Sequence, residues 1–160
     1  MSGGRGVAAA VAVAMLAACG AARPEAAIIG TWRVVAIESR DDGAAPWRRP
    51  FGDAPSGLVT YGADGTHTMQ FGRTPPPTFA AGDDRRGTDA EVREAFLGFF
   101  AWHGRWRLDT TRARIIHEIE GSLWPSWRGT VQERPYRLQG DTLVLGDTIT
   151  ARRVFVRVRR

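Results

Sequence analysis

Hydrophobic and polar positions alternate along most of this chain with a period of two, and the pattern is clearest from Arg114 to Leu138. Ile115, His117 and Ile119 fall on one face of an extended segment, with Arg114, Ile116, Glu118 and Glu120 on the other. After an aromatic corner, Leu123-Trp124-Pro125-Ser126-Trp127, a second alternation puts Thr130, Gln132, Arg134, Tyr136 and Leu138 on a common face. Tyr136 and Leu138 turn that face inward. Gln132 and Arg134 then point inward too, and His117 sits between two isoleucines across the sheet. A mostly apolar interior with a few polar groups is the composition of a small-molecule pocket.

The same period predicts further strands. Ile28–Ser39 is rich in β-branched residues, with Trp32, Val34 and Ala36 on one face, and it ends at Asp41-Asp42-Gly43. Leu58–Tyr61 and Thr66–Phe71 predict a hairpin around Gly62-Ala63-Asp64-Gly65; pairing Tyr61 with Thr66 places Leu58, Thr60, His67 and Met69 together. Arg105–Asp109, Thr142–Leu145 and Arg152–Val158 complete a count of eight strands, and in the last Val154, Val156 and Val158 oppose Arg153, Phe155 and Arg157. The period changes once, between Thr88 and Phe100. There Thr88 and Glu91 have capping-box spacing, and Val92, Phe96, Phe99 and Phe100 recur at helical intervals. The proline-rich Arg73–Gly87 stretch before it reads as a surface loop, because consecutive prolines remove ladder donors. Short strands joined by tight turns predict sequential antiparallel pairing. A sheet that closes on itself removes its edges and encloses side chains or one small ligand. The expected fold is therefore all-β, an eight-stranded antiparallel barrel with one mid-chain α-helix.

The N-terminus breaks the pattern. Arg5 precedes an apolar run, Val7–Ala14, too short to span a bilayer and expected to be a secretory signal. It ends in Leu16-Ala17-Ala18-Cys19-Gly20, which resembles the bacterial lipoprotein signal, the lipobox. That resemblance implies cleavage before Cys19, the single cysteine, and its acylation. The expected division is a signal peptide at 1–18, a lipidated tether at 19–27 and a barrel domain at 28–160. The expected location is the bacterial cell envelope, lipid-anchored, with the outer membrane or periplasmic face favoured because residue 20 is Gly and not Asp.

All 22 basic residues are Arg, against 17 acidic ones, and the +5 balance comes mostly from the last nine residues. Acidic residues are interleaved elsewhere and no recognition motif accompanies the arginines, which argues against nucleic acid as a partner. The three histidines, His67, His103 and His117, show no i, i+2 or i, i+4 pair, so neither a metal nor a cofactor is expected. Ser122 and Ser126 lie near His117 but in no nucleophile elbow, and no catalytic residue is assigned.

From Gly30 to about Val158 the chain resembles the bacterial and fungal lipocalin-like domain family, a calycin-type barrel. The matching stretches are Gly30-Thr31-Trp32, Pro50-Phe51-Gly52-Asp53 with Gly57 and Tyr61, Asp64-Gly65, the helix, and His117 to Trp127 with Gly129-Thr130 and Arg134. Trp102 to Trp106 stands where a Tyr-containing segment is usual, and Pro135 after Arg134 removes a ladder hydrogen bond. The resemblance implies a lipocalin-like barrel, Trp32 packed at one end under Arg153 or Arg157, and a small apolar or amphipathic molecule inside. The candidate ligand-binding residues are His117, Arg134, Gln132, Tyr136, Trp106, Ile115, Ile119, Phe96 and His67. An inward Arg134 with no evident acidic partner requires one of two arrangements. Either backbone, Tyr136 and rim water satisfy it, or the polar head of a ligand does, with the tail among Trp106, Ile115, Ile119 and Phe96. Three classes of function stand open. One is a carrier. The second is an isomerase- or cyclase-type enzyme using His117 for proton transfer and Arg134 as electrostatic stabiliser. The third is a structural barrel filled by its own aromatic residues.

Overall fold

The computed structural model of the protein describes residues 24–83 and 85–159; the expected signal segment and Cys19 lie outside them. Eight strands follow in order: β1 (Gly30–Ser39), β2 (Ser56–Tyr61), β3 (Thr66–Gly72), β4 (Phe99–Asp109), β5 (Arg114–Ser122), β6 (Val131–Gln139), β7 (Thr142–Gly146) and β8 (Ala151–Arg157). Each pairs antiparallel with the next, and β8 returns to β1, closing a lipocalin-like barrel with one helix, α1 (Asp89–Leu97). Alternation delivers the core. Phe100, Trp102 and Trp106 of β4 are buried, as are Ile115, His117 and Ile119 of β5, Leu143 and Leu145 of β7 and Phe155 of β8. On β6 the even-numbered residues turn inward, and Pro135 sits opposite Arg114 without disturbing the register that sets Arg134 beside Ile115.

Three expectations need correction. Tyr61 pairs with His67, not Thr66, because the turn from Gly62 holds one residue more, with Gly65 at φ 81° and Asp64 accepting the Thr66 amide. A one-residue slip exchanges the faces of a strand. Val59 and Tyr61 therefore enter the core with His67 and Met69, and Leu58 and Thr60 leave it. In β1 a bulge between Val34 and Ala36 rotates the strand, so that Ile37 is buried and Glu38 is enclosed beside Arg152. The helix is also shorter than expected. Thr88 and Glu91 form the capping box, but Gly98 ends the helix, and Phe99 and Phe100 already belong to β4, paired with Gly72 and Phe71. Phe96, expected to line the pocket, is 40% exposed on the outside.

One end of the barrel is sealed. Trp32 is fully buried and donates its Nε1–H to the Ile28 carbonyl at 2.9 Å. The Arg157 guanidinium lies 4.0 Å over its ring and donates to the carbonyls of Ile29 and Ala27. The 3-10 turn Pro24–Ala27, assigned from sequence to the tether, is thereby fastened to this end. Of the two arginines proposed for Trp32, Arg157 takes the role.

Candidate functional site

The opposite end is ringed by the β1–β2 connection, the β3–β4 connection carrying α1, the β5–β6 corner with its 3-10 turn Pro125–Trp127, and the β7–β8 turn. It opens on a cavity of about 180 Å³ walled by Ile37, Phe51, Phe71, Phe100 and Trp124, with Arg153 also on its lining. The aromatic walls brace one another: Phe71 stacks on Phe100 at 4.9 Å, and Trp124 meets Phe100 edge-on at 4.7 Å. Glu38, on the rim and 5% exposed, accepts hydrogen bonds from Arg152 and Arg49. The Arg152 guanidinium holds the Glu38 carboxyl below its ordinary range. Trp47 lies 4.5 Å from the Arg152 guanidinium and 4.3 Å from that of Arg40. Together these contacts fasten the β1–β2 connection, and with it Phe51, over the opening.

Further in, Met69, Phe100, Trp102, Arg134, Leu145 and Arg153 surround a cleft too narrow to hold a water molecule. Arg134 donates to the Gln132 side-chain oxygen at 3.2 Å, and Gln132 in turn donates to Thr130. The Arg134 guanidinium lies 5.5 Å from the Trp127 ring and 6.0 Å from that of Trp102. Burial pushes the Arg134 guanidinium below its ordinary pKa. Burial also pushes Arg153 down to about 10, with the neighbouring positive charge of Arg134 adding to the effect. No carboxylate among the described residues offsets either one.

Below the cleft sits a layer of polar rings. His117 Nδ1 lies 3.2 Å from the Gln132 carbonyl, which only accepts, so Nδ1 carries the proton and Nε2 accepts from the Tyr61 hydroxyl at 3.0 Å. His117 is thus fully partnered, and burial keeps it neutral by depressing its pKa well below the usual 6.5. His67, whose ring centre is 4.8 Å from that of His117, makes no hydrogen bond of normal geometry on either nitrogen, with only the backbone of Gly104 and Arg105 close to it. Burial lowers its pKa to about 4. Both His117 nitrogens are engaged within the protein, so a guest would reach Nε2 only by displacing the Tyr61 hydroxyl or through it. Among the described residues there is no group of three or more His, Cys, Asp or Glu side chains placed to hold a metal ion.

The site residues expected from sequence therefore divide. Arg134, Gln132, His117 and His67 converge in the interior. Trp106, Ile115 and Ile119 are buried core and line neither the mouth cavity nor the cleft, and Tyr136 packs half-buried against that core. Trp106, Ile115, Ile119 and Phe96 do not gather around a cavity; the cavity with aromatic walls lies at the mouth. Sequence reasoning missed Arg153, Tyr61 and the walls Phe51, Phe71, Phe100 and Trp124. Arg153 had a signal, since it shares a strand face with the buried Phe155.

A closed antiparallel barrel, sealed at one end by a tryptophan under an arginine and open at the other onto an aromatic cavity, is the architecture of barrels that hold a guest internally. The chain belongs to the lipocalin-like domain family, whose model matches residues 29–154. It is also similar to the 4'-hydroxy-3'-methoxypropiophenone carrier protein of Aspergillus oryzae, 38% identical over 65 residues that make up 37% of this chain and 59% of that protein.

Proposed function

We propose that this protein binds and carries a small, largely apolar molecule with one aromatic ring at the open end of its barrel, and that acylated Cys19 tethers it to the bacterial envelope. The observation that carries the reading is the mouth cavity. Its volume of about 180 Å³ is close to the ~150 Å³ apolar cavity that takes up benzene, and its walls are aromatic. The relative named as a carrier of a hydroxylated, methoxylated propiophenone supports a guest of that size. Isothermal titration of the purified full-length protein with single-ring aromatic compounds tests the reading; saturable binding that is lost in Phe100→Ala is the expected result. The competing reading, a barrel filled by its own side chains, draws support from the narrowness of the inner cleft. It requires no heat from any compound in the series and no molecule co-purifying in native mass spectrometry. The tether is tested separately. Cys19→Ser is expected to move the protein from the membrane fraction to the soluble one, and an unchanged distribution removes the anchor.

A further inference from the structure

Building on that carrier reading, we infer that the guest bears an oxyanion, a carboxylate or a phenolate, and that Arg153 and Arg134 form the clamp that receives it. The two arginines come from β8 and β6, strands separated by β7. Leu145 of β7 is paired with Arg153 on one side and Tyr136 on the other, and Arg134 stands two residues along β6 from Tyr136 on the same inward face. Both arginines line the same cleft. Both guanidiniums are half-buried without an acidic counter-charge, and two like charges beside one cleft repel each other. Arg134 has the side-chain oxygen of Gln132 and two indole faces, all neutral. The nearest acid on the mouth lining, Glu38, is already held by Arg152 and Arg49. A barrel built for stability alone gains nothing from this arrangement.

Position supplies the rest. Arg153 and Phe100 line both the mouth cavity and the inner cleft. A ring seated among Phe51, Phe71 and Trp124 directs an inward substituent onto Arg153, with Arg134 behind it. Guanidinium forks match the planar geometry of a carboxylate, so Arg153 receives the head group from the mouth while Arg134, across the narrow cleft, adds its positive charge from behind.

The test is calorimetric titration of the full-length protein with matched pairs: cinnamate against methyl cinnamate, and 4-nitrophenolate against 4-nitroanisole. In the wild type the anion of at least one pair is expected to bind about tenfold tighter or more. The pair that shows the preference identifies the head group. In Arg153→Met and Arg134→Met the preference is expected to fall to about twofold or less while the neutral partner still binds. Equal affinity for anion and neutral partner in the wild type overturns the clamp and leaves the carrier reading standing. No binding by any of the four overturns both. A preference that survives both substitutions also overturns the clamp. Thermal unfolding of the ligand-free variants gives a second reading. Loss of a half-buried charge with no acidic partner is expected to leave the midpoint of Arg153→Met unchanged or raised. A variant that unfolds early, or never folds, shows that Arg153 is paired within the fold and overturns the assignment.

Discussion

Replacing His67 by Leu is expected to flatten the acid side of the stability curve and to stabilise the protein slightly near neutrality. His67 is 2% exposed, and neither ring nitrogen makes a hydrogen bond of normal geometry, the backbone of Gly104 and Arg105 being its weak polar neighbours. Its folded pKa is about 4, against 6.5 for the free side chain. Between those values the unfolded chain holds a proton that the folded protein refuses. Stability is therefore complete above about pH 6.5 and falls as the pH drops toward 4, by roughly 3 kcal/mol in all at ~1.4 kcal/mol per pH unit. His117, also depressed by burial, acts in the same direction and remains in the variant. The carboxylates with lowered pKa values, Glu38, Asp109 and Asp147 among them, are present in both proteins and cancel from the difference in slope. Urea unfolding from about pH 7.5 down to about pH 4.5 should thus show a shallower slope in His67→Leu, by up to ~1.4 kcal/mol per pH unit. At neutral pH, relief of an unsatisfied buried imidazole (~1–3 kcal/mol) is partly offset by repacking, leaving a net gain of about 1 kcal/mol. An unchanged slope would refute the reasoning, and so would a variant weakened at neutral pH, because the ring would then have a partner.

Tyr61→Phe removes the donor to His117 Nε2 and leaves a buried acceptor bare; a loss of about 1–3 kcal/mol in chemical unfolding is expected, with the near-ultraviolet aromatic signal retained. Arg157→Met uncovers Trp32 and abandons the carbonyls of Ile29 and Ala27, so thermal unfolding should come earlier by the equivalent of about 2 kcal/mol, with faster amide exchange at residues 24–29. At Gly104, where β4 is irregular, a methyl group would lie 2.0 Å from the Glu118 carbonyl oxygen. Gly104→Ala is accordingly expected to cost about 3 kcal/mol or more, and a wild-type melting curve would show that the two strands are not so close.

Local pattern was enough for much of this protein. Alternation over residues 114–138 determined which side chains of β5 and β6 face inward, and Arg134 kept its place despite Pro135 because the donor to the β5 side is Tyr136, bonded to the Ala113 carbonyl, and not residue 135. Thr88 and Glu91 announced the start of α1, since a cap is a contact between near neighbours in the chain. The tertiary structure decided everything that depends on how distant segments meet. The turn after Tyr61 holds one residue more than its sequence implied, and that residue moved a phenol into the core. A bulge in β1 turned Ile37 and Glu38 inward, and pairing with Gly72 converted Phe99 and Phe100 from helix to strand. The alternation on β8 left open which face is the core side; Arg153, Phe155 and Arg157 face in, because closure against β1 sets that strand's rotation. Side-chain parity is a property of the backbone repeat and can be read locally. Register, bulges and the convergence of Arg134 and Arg153 on one cleft depend on pairings between residues far apart in the chain, which no local pattern encodes.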